Sequence, residues 1–124
     1  MFRTTPAFSG FSVDDIPAAR AFYADVLGLD VREENGMLFL QIHEGQPILV
    51  YPKGDAHRPA SFTILNFPVD NVEAAVRELA DRGVEFERYD GVDDLGIMRA
   101  GGPLIAWFTD PAGNILSVIE SADA

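Results

Sequence analysis

The sequence predicts an α+β fold of two tandem βαβββ modules, their strands curled into a cup-shaped, mostly antiparallel sheet. Three observations predict it: an internal repeat, the order of apolar periods, and the length. Residues 13–31 read VDDIPAARAFYADVLGLDV and residues 69–86 read VDNVEAAVRELADRGVEF. At an offset of 56 positions, Val13/Val69, Asp14/Asp70, Ala18/Ala74, Ala19/Ala75, Ala24/Ala80 and Asp25/Asp81 are identical. A repeat of this length marks a duplicated supersecondary unit. Each copy then runs strand, helix, strands, and 124 residues suffice for one domain made of two half-modules.

The first module covers about residues 1–52. Residues 7–13 have strand character, and Asp14-Asp15 offers capping carboxylates for the helix that follows. Pro17 suits its first turn, and Ala19, Phe22, Tyr23 and Val26 give the apolar stripe before Gly28. Strands are expected over 29–33, 37–43 and 48–51, with turns at Asn35-Gly36 and Gly45. Residues 53–59, rich in Pro, Gly and charge, read as a linker.

The second module, 60–124, repeats the order. A strand over 62–69 leads to a cap at Asp70 or Asn71, then to a helix with Val72, Ala75, Val76 and Leu79 inward. Further strands are expected over 84–89, 97–99, 104–109 and 115–120, with a sharp turn at Asp110-Pro111-Ala112-Gly113-Asn114. Arg20, Arg77 and Arg82 read as solvated helix faces.

Composition excludes several classes. A net charge of −11 gives no basic stripe for nucleic acid or anionic membrane. The chain has no cysteine, which removes disulfides and thiolate chemistry. No signal peptide is visible, and no apolar run approaches the roughly 18–20 residues of a membrane helix. A cytoplasmic location is the expectation.

Three patterns, FSVDDIPAARAFYADVLGLDV, FPVDNVEAAVRELADRGV and FTDPAGNILSVIE, together with the paired modules, resemble the vicinal oxygen chelate superfamily. That superfamily includes glyoxalases, extradiol dioxygenases and bleomycin-resistance proteins. Its enzymes hold a divalent metal with His or Glu at four strand positions. By the resemblance those positions fall on Phe8, Ile48, Ile64 and Ser117, none of them a competent ligand set. No metal and no cofactor is therefore expected. The resemblance implies a kinship with metal-free antibiotic-binding members, which commonly act as homodimers with clefts between modules.

Strand alternation then predicts the lining of the cup. Trp107, the only tryptophan, is the expected anchor, with Phe8 and Phe39 as opposing aromatic faces. Ile48, Val50 and Ile64 supply aliphatic walls, and Gln41, Asn66, Thr109 and Ser117 supply hydrogen bonds. Such a lining suits a flat, hydrophobic, aromatic antibiotic, which the protein would sequester unchanged. Two other readings stay open. One is an enzyme: a glyoxalase-like lyase or isomerase or a dioxygenase type with a nonstandard metal site, or a metal-free catalyst using His43 or Tyr51 as acid or base. The other is a subunit whose cup is filled by its own side chains.

Overall fold

The computed structural model describes residues 1–122 of the chain. Residues 123–124, the end of the expected second module, lie outside them. The chain divides into two units, Met1–Pro59 and Ala60–Ala124.

In the first unit, β1 (Gly10–Val13) leads into α1 (Ile16–Arg20), which continues as a π-helical turn over Ala21–Val26. Asp15 caps α1, its carboxylate accepting from the Ala18 amide at 3.0 Å, while Pro17 occupies the first turn. The π turn is closed by Leu27 N–H donating to the Phe22 carbonyl. The adjacent Phe22 and Tyr23 of this turn are both buried. Tyr23 packs against Phe11 of β1, ring centroids 5.8 Å apart. Then follow β2 (Asp30–Glu34), β3 (Met37–Gln41) and β4 (Ile48–Pro52). The sheet order is β1-β4-β3-β2, with β1 and β4 parallel and the other neighbours antiparallel. β3 stops at Gln41 rather than His43, because His43 takes φ 58 and leaves the extended region. Val13, Ala19, Phe22, Tyr23, Leu38, Leu40 and Val50 form this unit's core.

The second unit repeats the plan. β5 (Thr63–Val69) precedes α2 (Val72–Asp81), and β6 (Ile97–Met98), β7 (Ile105–Thr109) and β8 (Ile115–Glu120) complete a sheet of order β5-β8-β7-β6. Asn71 caps α2 through the Ala74 amide at 3.0 Å. The caps Asp15 and Asn71, like the helix starts Ile16 and Val72, stand at the offset of the sequence repeat. Gly28 and Gly83 end the two helical segments at φ 72 and 92, which a side chain would strain. Val72, Val76, Ile97, Ala106, Phe108, Leu116 and Val118 are buried here.

One expected strand is absent. Residues 84–89 make a single bridge, Phe86 to Phe108, plus the Glu87 amide donating to the Trp107 carbonyl. The rest of that edge of β7 is taken by β6, so residues 84–89 have no ladder to join. Both units thus read βαβββ, and the fold is the α+β vicinal oxygen chelate fold.

Candidate functional site

Each sheet has one face against its helix and one face without it, and the strand register says which side chains stand on the second. In the second unit, Ala106, Phe108, Leu116 and Val118 face the buried side. The alternate residues Ile105, Trp107 and Thr109 pair with Ile119, Ser117 and Ile115 on the other. β5 adds Asn66 opposite Ser117 and Pro68 opposite Ile119. Asn66, Ser117 and Trp107 therefore form one row across three strands, framed by isoleucines. The Ser117 hydroxyl donates to Asn66 Oδ1 at 2.6 Å. Ser117 is 0% exposed, so a polar atom lying out of water is satisfied there. Tyr89 leans on the indole, centroids 5.4 Å apart and planes tilted by 59°. Partial burial, and then the Glu87 carboxylate, raise the Tyr89 phenol above its ordinary range.

The first unit has a parallel arrangement. Gly10, Leu49, Phe39 and Arg32 form one row across four strands, with Ser12 and Tyr51 paired in the next. Phe39 and Gln41 stand on this face as expected. They line a concavity of about 320 Å³ with Asp30, Arg32 and Pro47. The Arg32 guanidinium lies 4.8 Å above the Phe39 ring centre, a cation–π contact that sequence reasoning missed. The Gln41 amide is spent on the carbonyls of His43 and Gly45, so it closes a loop. Ser12 Oγ lies 2.7 Å from His57 Nδ1, which ties residues 53–59 to the sheet.

Four expected lining residues are placed differently. Val50 is 0% exposed, and pairs with Leu38 while Ile48 pairs with Leu40, so both belong to the helix-facing layer. Leu49 and Tyr51 take the face assigned to them. The cause is parity: the run Ile48-Leu49-Val50-Tyr51 is apolar throughout, and a one-residue slip exchanges the faces. Phe8 precedes β1 and is 63% exposed. Ile64 falls between the paired Thr63 and Leu65 where the register of β5 shifts, and such a bulge breaks simple alternation.

The positions that the resemblance gives to metal ligands do not fit a divalent ion. Leu49, not Ile48, occupies the place in β4 that Ser117 occupies in β8, since both stand in the central rows. Leu49, Phe8 and Ile64 carry no lone pair, and the Ser117 hydroxyl is committed to Asn66. Among the described residues no group of three or more His, Cys, Asp or Glu side chains is placed to hold a metal. No helix among them is long and apolar enough to cross a membrane.

Solved structures share this fold. A glyoxalase family protein from Enterococcus faecalis is 25% identical with a TM-score of 0.70, covering 97% of this chain and 100% of its own. A lactoylglutathione lyase from Agrobacterium tumefaciens is 25% identical with a TM-score of 0.62, covering 96% of each chain. TnmS3, an antibiotic binding protein from Streptomyces sp. CB03234, is 20% identical with a TM-score of 0.68, covering 96% of this chain and 98% of its own. An enzyme and a binder thus share one scaffold, and the fold does not choose between them. No curated protein matches the sequence. The profile of the Glyoxalase/Bleomycin resistance protein/Dioxygenase superfamily matches residues 7–118, and the chain belongs to that superfamily.

Proposed function

We propose that the protein binds a flat, largely apolar aromatic natural product of the antibiotic class and holds it chemically unchanged, without a metal. We place this in the cytoplasm, with the protein acting as a homodimer. The observation that carries the reading is the row Asn66, Ser117 and Trp107 set among Ile105, Ile115 and Ile119 on the helix-free face of the second sheet. An indole among aliphatic side chains with a few polar groups suits ring stacking and hydrogen bonding, not proton transfer or ionic capture. The family's ligand positions support the same reading, because their side chains cannot activate a substrate through a metal.

Trp107 is the only tryptophan, which makes it its own reporter. Polycyclic aromatic drugs at micromolar concentration are expected to change its emission saturably and to be recovered unaltered by mass spectrometry. A panel of such drugs that leaves Trp107 emission unmoved sinks the reading. A ligand recovered as a product replaces binding with catalysis.

A further inference from the structure

We infer that Asn66 is the specificity-determining donor of this face, and that the ligand it selects is a flat aromatic bearing a carbonyl or quinone oxygen at its edge. The inference rests on the aromatic-binding reading and adds the ligand's polar chemistry to it. Its starting point is the Ser117–Asn66 hydrogen bond. At 2.6 Å it lies inside the O–H···O range, about 2.5–3.0 Å, and short of the N–H···O range, about 2.7–3.2 Å. The structure places the oxygen of the Asn66 amide, not its nitrogen, toward Ser117.

That orientation fixes the rest. Ser117 is fully buried, so its hydroxyl has no water to turn to and gives its proton to the Asn66 oxygen. The Asn66 NH2 then points away from Ser117, on an exposed residue of β5, with two N–H groups to offer. The indole of Trp107 can only donate through nitrogen. Tyr89 and Thr109 bring hydroxyls that can rotate. The directed polar groups of this face are donors, and they call for an acceptor on the ligand. A cation would meet the Asn66 N–H groups where it needs an acceptor. A plain hydrocarbon would leave the amide to be desolvated without a partner. Asn66 is placed to touch the ligand, whereas Ser117 acts through Asn66 as a positioning residue.

The test uses 9-fluorenone and fluorene, which differ by one carbonyl oxygen, in equilibrium dialysis against the full chain. Fluorenone is expected to bind about tenfold tighter, the worth of one good hydrogen bond. Asn66→Asp, which keeps the shape and replaces the donor by an acceptor, is expected to abolish that preference, and Asn66→Ala to level it. Ser117→Ala is expected to reduce the ratio, and Ser117→Thr, which keeps the hydroxyl, to restore it. Equal binding of ketone and hydrocarbon overturns the inference and leaves the aromatic-binding reading standing. A ketone preference that survives in folded Asn66→Asp also overturns it. Binding of neither compound removes both.

Discussion

Asp110 shows how much one side chain contributes to this fold. It is 4% exposed, and its carboxylate accepts from the Ala112 and Asn114 amides, both at 2.9 Å, and from Asn114 Nδ2 at 3.0 Å. Asn114 in turn accepts from the Ala60 amide at 3.4 Å. The pattern D-P-A-G-N is thus a turn whose donors are consumed by its own first residue, which the sequence announced by composition and spacing. Asp110→Ala leaves buried N–H groups unpaired and is expected to cost about 3 kcal/mol. A urea titration checks this through a lower midpoint at an unchanged slope. The Asn66–Ser117 bond was not legible in the same way. Its partners are 51 residues apart, and only the register of β5 on β8 brings them together. The sequence marked both residues as polar groups of one face, but not that one orients the other.

Helix ends were the most readable elements, because their chemistry is local. Asp15 and Asn71 each satisfy one amide of the following helix, and each change to Ala is expected to cost about 1 kcal/mol by thermal or urea unfolding. Strand register was the least readable. The Ile48–Tyr51 run carries no parity, and the apolar alternation of residues 84–89 lacked a free strand edge. The segment after them is held by charge instead. Asp93 accepts from the Leu95 and Ile97 amides and from Arg99 Nε, at 2.9, 2.9 and 2.7 Å. Arg99 also reaches Glu73 of α2. The Arg99 hydrogen bond, then the Ile97 amide, hold the Asp93 carboxyl below its ordinary range. A carboxyl depressed in the folded state adds stability that is complete above the unfolded value. That stability is lost as pH falls through the folded one. The Leu95 and Ile97 amide resonances are expected to titrate together, below the usual carboxylate range of about 4. Asp93→Asn is expected to erase that titration, and an unchanged profile in this variant would contradict the assignment.

At the scale of the molecule, duplication gives each sheet the same central row and then sets the two rows apart. The repeat offset matches Gly10 with Asn66, and strand order and register then make Leu49 and Phe39 the counterparts of Ser117 and Trp107. An aromatic ring occupies the third position in both. At the first two positions one copy has a glycine and a leucine where the other has an amide and the hydroxyl that orients it. A Cβ at Gly10 would stand 3.2 Å from the Leu49 carbonyl oxygen, so that copy leaves little room for an asparagine. Aromatic contact is thus a property of both copies, while directed hydrogen bonding belongs to the second. This separates two quantities that a single affinity would merge. Phe39→Ala is expected to leave the fluorenone-to-fluorene ratio unchanged, whatever it does to overall binding. Trp107→Ala is expected to weaken both ligands by about tenfold, the loss of a stacked ring with its buried area. Dialysis with both ligands against the two variants measures this. A ratio that collapses in Phe39→Ala would place the donor in the first copy and break the asymmetry drawn from Asn66 and Gly10.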